Sequence, residues 1–192
     1  GLAKSDADAG YAVDEIKGLM AKLPAGGYAP VSLEPDGWKA VVGDPETRKE
    51  MKAKALAKAQ QEADAAMAKN WTATGGVLTG AADAGVIGSA KNYENFELIL
   101  EWKTEAEAGL GVRSIPQIAL GGKNSGALTG NRLHDNTSPK AAANSPREWN
   151  TMQVKVVSDR VTVLLNGVTT AENVILENAC NREIPAYAQG QL

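Results

Sequence analysis

The feature that most limits the fold is a change of hydrophobic period at residue 71. Residues 44–70 are rich in Lys, Glu, Ala, Gln and Met and hold no glycine, the composition a helix interior prefers. Asp44 can cap this helix, and Pro45 fits its first position. Met51, Ala55, Ala59, Ala63 and Met67 recur at every fourth place. So narrow a stripe can lie on another surface but cannot build a deep core. Lys49, Lys52, Lys54 and Lys58 precede Glu62 and Asp64. That order opposes the helix dipole and reads as a solvated face.

From residue 71 the apolar period is two. Phe96, Leu98, Leu100 and Trp102 alternate with Glu97, Ile99, Glu101 and Lys103. Met152, Val154 and Val156 alternate with Gln153 and Lys155, and Val161, Val163 and Leu165 with Thr162 and Leu164. Alternation of this kind puts one set of side chains in a core and the other outside. Ser158-Asp159-Arg160 reads as a hairpin connection and Asn166-Gly167 as the strongest turn signal. Further short strands are expected at 76–79, 86–88, 110–114 and 116–120. No βαβ rhythm is present. The fold class is therefore all-β, antiparallel and most simply a sandwich, with an inserted α-helix over 44–70. Phe96, Leu98, Leu100, Trp102, Val154, Val156, Val161 and Val163 are the expected core.

At 192 residues the chain is one domain with a small appendage. Residues 1–30 form an Ala/Gly-rich extension, and Ile16, Leu19, Met20 and Leu23 give it one short helical pattern. Residues 31–192 are the domain itself. A formal charge of −3 argues against a sequence-independent nucleic-acid partner, which would need an excess of Lys and Arg. No apolar run reaches the length of a membrane span. The single cysteine, Cys180, cannot form an internal disulfide.

Phosphate-loop, dinucleotide, zinc-protease, calcium-loop and nucleophile-elbow motifs are all missing from the sequence. Glu97 and Glu101 lie four apart on one strand, about 13 Å from each other. That is too far for the carboxylate pair of ordinary glycoside hydrolysis. Each is still able to work with a residue from a neighbouring strand. Gly109-Leu110-Gly111-Val112-Arg113 is a strand with two glycines, which leaves room for close approach, and Arg113 at its end can clamp an oxygen ligand. The segment Gly121–Arg147 is long, polar and Gly/Asn/Ser-rich. It contains Asn124 and the only imidazole, His134, next to Asp135. A structural zinc is not expected from one histidine and one cysteine. A hard divalent cation is the metal chemistry that remains open, with His134 and Asp135 as the candidate ligand pair.

Several segments, taken in order, resemble the 3-keto-disaccharide hydrolase domain family. They run from Val31-Ser32-Leu33 and Asp36-Gly37-Trp38-Lys39 to Trp71, Gly75-Gly76-Val77-Leu78 and Tyr93–Lys103. Next come Gly109…Arg113 and Pro116-Gln117-Ile118. Glu148-Trp149-Asn150-Thr151 is the most specific. Asp159–Val163, Leu165-Asn166-Gly167 and Ile184-Pro185…Gly190-Gln191-Leu192 close the series. The helical run resembles an insertion common in that family. Glu107-Ala108-Gly109 departs from the family's Asn/Asp-Ser-Gly. Ala119, Leu120 and Gly121 stand where a Gln or Glu and an Asp are usual. The family's closing strand is expected to be missing after Leu192.

This resemblance implies a concanavalin A-like β-jelly-roll sandwich in a secreted or periplasmic bacterial protein. It implies action on 3-keto sugar glycosides by C2 deprotonation, elimination and hydration. Glu101 or His134 would be the base, and Arg113 would hold the developing oxyanion. Gln117 would position a sugar hydroxyl, and Glu97, Asn124 and Asp135 would complete the substrate contacts. A non-catalytic carbohydrate-binding module is the alternative that the same fold allows.

Overall fold

The computed structural model describes residues 29, 31–114, 116–129, 142–176 and 191–192. The expected helix at Tyr11–Leu23, the pair His134-Asp135 and Cys180 all lie outside the described residues.

The insertion is two helices rather than one. Helix α1 covers Pro45–Glu50 and α2 covers Ala53–Asn70. Asp44 caps α1 as its chemistry predicts. Its Oδ1 accepts from the backbone N–H of Glu46 at 2.8 Å and of Thr47 at 2.9 Å. The break at Met51-Lys52 follows from two separate anchors. Arg48 Nη1 donates back to the carbonyls of Val42 and Gly43, which ties α1 to the loop before it. Gln60 Nε2 donates to the Ala40 carbonyl, which ties α2 to strand β1 (Trp38–Ala40). The predicted stripe moves accordingly: Met51 caps α1, Ala55 is exposed, and Leu56, Ala59, Ala63 and Met67 are half-buried.

These bonds to the Asp44 carboxylate hold its pKa below the usual value, Thr47 contributing most. Asp44→Ala should cost about 0.5–2 kcal/mol. A folded-state pKa below the unfolded one gives stability that is complete above the unfolded value and is lost as pH falls through the folded one. The difference between wild type and Asp44→Ala should therefore shrink in denaturant titrations run below about pH 4.

All strand pairs among the described residues are antiparallel. The largest sheet holds β5 (Phe96–Trp102), β9 (Asn150–Val157), β10 (Arg160–Leu165) and β11 (Val168–Ile175) in the order β11-β10-β9-β5. Asn166 and Gly167 make the β10–β11 turn with φ of 49° and 79°, the left-handed conformations that this dipeptide favours. A second sheet holds β6 (Ala108–Gly111), β7 (Gln117–Leu120) and β8 (Leu128–Thr129). Two hairpin-sized sheets complete the described strands. One pairs β1 with β4 (Ile87–Ser89), and the other pairs β2 (Trp71–Thr74) with β3 (Val77–Gly80).

One core joins the two larger sheets. Met152, Val154, Val156, Val161, Val163 and Leu165 from the first meet Ile118 and Leu128 from the second, and Trp102 lies among them. Phe96, Leu98 and Leu100 are half-buried and pack against this cluster. Strand 110–114 is not continuous. The chain leaves β6 after Gly111 and turns through Arg113 and Ser114, both at positive φ. The terminal residues Gln191 and Leu192 tie β4 to this turn: Ser89 N donates to the Leu192 carbonyl and Ser114 N to that of Gln191.

Candidate functional site

The sheet registers settle which expected site residues meet. Leu110, Ile118 and Leu128 face the core, so their neighbours Gly109, Gly111, Gln117, Ala119 and Thr129 face outward on the smaller sheet. This face is low in relief and Gln117 is its long polar side chain. A Cβ on Gly109 would lie 2.7 Å from Gln117 Oε1. The glycine thus lets the amide lie down across β6. Asn124 is exposed in the β7–β8 connection, where its carbonyl accepts from Ala127 N.

Glu97 and Glu101 face the other way. On β5 they alternate with the core residues, and they are cross-strand neighbours of Lys155 and Thr151. Gln153 Nε2 donates to Glu97 Oε1 at 2.5 Å. The two carboxylates are half-buried on the face of the four-stranded sheet turned away from the core, with Thr162 and Leu164, and Glu101 Oε2 is out of contact with solvent. The core therefore separates them from Gln117.

Arg113 lies on neither face. It is 1% exposed. Its Nε donates to the Glu94 carbonyl at 2.7 Å and its Nη1 to the Ser158 carbonyl at 2.7 Å, and Nη2 also reaches Glu94 O. Asn95 Oδ1 accepts from Ser158 N at 2.6 Å. The guanidinium thus latches the start of β5 to the β9–β10 turn. Burial pulls its pKa below the usual value, while the charges of Glu94 and Asp159 push it back up. Glu101 is five residues further along β5 than Phe96, roughly 17 Å. The structure does not bring Glu101, Arg113 and Gln117 together.

The most specific sequence segment has an architectural role. Asn150 is 2% exposed, and its Oδ1 accepts from Asn144 N and from Asn166 Nδ2. Asn166 also donates to the Ala142 carbonyl and accepts from Thr151 N. Glu148-Trp149-Asn150-Thr151 and Asn166-Gly167 therefore lock the start of β9 to the β10–β11 turn. Lys103 Nζ sits 4.9 Å from the centroid of the Trp149 ring, a cation–π distance.

Sequence reading did not find a groove of about 620 Å³ between the helical insertion and β1. Its walls include Trp38, Lys39, Arg48, Gln60, Asp64 and Met67. Four of these come from the segment 44–70 that reads as a solvated helix. Among the described residues, no three His, Cys, Asp or Glu side chains gather as a metal site, and no helix is long and apolar enough to cross a membrane.

An antiparallel β-domain with a helical insertion thus defines the class of protein. A family model, the 3-keto-alpha-glucoside-1,2-lyase-like domain, matches residues 33–192, and the chain belongs to that family. Among solved structures it is similar to two proteins from Parabacteroides distasonis, each described as a "putative glycosyl hydrolase". The first is 25% identical with a TM-score of 0.43, over 55% of this chain and 63% of that one. The second is 18% identical with a TM-score of 0.46, over 64% of this chain and 75% of that one. This chain thus spans less than two thirds of the length of the first. No curated protein matches it significantly.

Proposed function

We propose that the protein cleaves 3-keto sugar glycosides by C2 deprotonation, elimination and hydration. The observation that carries this reading is the match of a 3-keto-alpha-glucoside-1,2-lyase-like family over residues 33–192. A ketone at C3 acidifies the C2 hydrogen. A base removes that proton, the C1–O bond breaks, and the leaving oxygen takes up a proton. Water then adds across the C1–C2 double bond. Such a reaction needs a base and a positioned substrate, not a carboxylate pair.

The reacting sugar lies on the outer face of β6, β7 and β8, with Gln117 bonding a ring hydroxyl and Asn124 at its edge. Gly109 makes room for the Gln117 amide, and Gly111 and Ala119 keep the rest of the face low beneath the ring. His134 is the base. Gln117 is paired with Thr129 at the end of β8, and five residues of chain reach at most about 18 Å. In this reading the imidazole works from the loop that follows β8, whereas Glu101 is on the far side of the core. Asp135 assists His134. Arg113 is a positioning residue, holding the turn that follows β6.

The two larger sheets are the layers of a concanavalin A-like jelly roll. Their common core, the antiparallel pairing and the placement of β9 beside β5 support this. Action outside the bacterial cytoplasm, in the periplasm or medium, is part of this reading. Incubation with a methyl 3-keto-glucoside, with and without chelator, tests the activity. Release of methanol is expected, and its loss with chelator would add a divalent cation to the reaction, for which His134-Asp135 is the candidate ligand pair. The alternative is a carbohydrate-binding module. The fact favouring it is that Gly109, Gly111, Gln117, Ala119 and Thr129 include no base. No cleavage, together with tight binding of unoxidised glycan, would select the module.

A further inference from the structure

We propose that the groove between β1 and the helical insertion is a second saccharide site, one that holds a neutral, unoxidised disaccharide away from the reacting face. Its volume, about 620 Å³, falls within the usual range of small-ligand pockets. Gln60, Asp64, Met67 and Ala68 line it at helical spacing from α2, facing Trp38, Lys39, Ala40 and Val41 from the β1 side. Spacings of four, three and one put these four α2 residues on one stripe.

The polar lining is held in place before any ligand arrives. Gln60 Nε2 donates both to the Ala40 carbonyl at 3.1 Å and to Asp64 Oδ1 at 2.8 Å, so the helix carboxylate is fixed and Oδ2 stays available. Arg48 Nη1 is fixed on the carbonyls of Val42 and Gly43 at 3.1 and 2.8 Å. Its other N–H groups remain for a ligand. The Trp38 indole is oriented by donating to the Ser32 carbonyl at 2.9 Å. Gln191 Nε2 donates to the Ser89 carbonyl at 2.8 Å. Fixed donors and acceptors lower the ordering cost of binding.

The chemistry of the walls selects the ligand. A sugar ring has an apolar C–H face and a rim of hydroxyls that both donate and accept. An indole with Met67 and Val41 suits the first; a carboxylate, a guanidinium and amides suit the second. The lining mixes Asp64 with Lys39 and Arg48, so neither a phosphate nor a carboxylate finds walls of one sign. An apolar ligand would strip water from Asp64 and Arg48 without replacing their hydrogen bonds.

The site is independent of which face carries out the cleavage, and the test keeps the two apart. Maltose is titrated into the whole protein by calorimetry, while the Trp38 indole N–H is followed by NMR. Saturable binding with a shifted Trp38 signal is expected. Asp64→Ala removes the free acceptor and Ala68→Trp fills the groove. Both are surface helix positions, and each should weaken binding by about tenfold or more. Lys69→Ala on the same helix should bind as wild type does. Absence of saturable binding overturns the proposal. So does binding that survives both Asp64→Ala and Ala68→Trp and is lost in Gln117→Ala, a result that leaves the proposed reaction standing.

Discussion

Arg113→Ala should lower the stability of the fold by about 3–5 kcal/mol. The side chain is 1% exposed, and its guanidinium holds two backbone carbonyls on segments far apart in sequence, Glu94 and Ser158. Truncation leaves a cavity and releases both carbonyls. Hydrogen bonds from a charged donor are worth about 1.5–3 kcal/mol each. Whole domains are stable by only about 5–15 kcal/mol, so the loss is a large fraction. It should appear in urea titrations and as a fall in Tm of roughly 6–20 °C. Arg113→Lys should recover less than half, because an ammonium cannot fork across two carbonyls. A fold stable to within about 1 kcal/mol with turnover lost would mean instead that Arg113 touches the substrate.

His134→Ala should slow cleavage of a 3-keto glycoside by about 10²–10⁴-fold, the usual worth of a positioned general base. His134 is the only imidazole in the chain, so no second histidine can replace it. Gln117→Ala should act differently. It removes a hydroxyl contact and should raise KM by roughly tenfold. Glu101→Gln should leave kcat/KM unchanged, since Glu101 lies on the face of the other sheet that is turned away from the core. Loss of turnover in Glu101→Gln, with His134→Ala active, would move the reaction to the face of the four-stranded sheet.

The strands that the sequence announces most clearly are those with strict alternation. Met152, Val154 and Val156 are completely buried, as are Val161, Val163 and Leu165, and period two alone places them. Strand β11 is harder to read because its pairing with β10 shifts register twice. Thr170 and Ala171 are consecutive yet both buried. Arg113 shows the same limit at a site. As the end of a straight strand it would be displayed, but the chain turns there through two residues at positive φ that are not glycine. Nothing local marks that turn. The groove joins residues 38–42, 48, 60–68 and 191, and no local pattern reports contacts between segments so far apart. Its charged residues therefore read as a solvated helix face. The asparagines of the Asn150 network are legible as motif residues, but their architectural role emerges only from the hydrogen bonds they share.

Cleavage of a methyl 3-keto-glucoside in deuterated water, beside an enzyme-free control, tests the central claim most directly. Elimination removes the C2 proton, and hydration restores one from solvent. The released 3-keto sugar should therefore carry deuterium at C2 in proportion to turnover and above the control. Turnover that leaves C2 unlabelled, as direct hydrolysis at C1 would, contradicts the account.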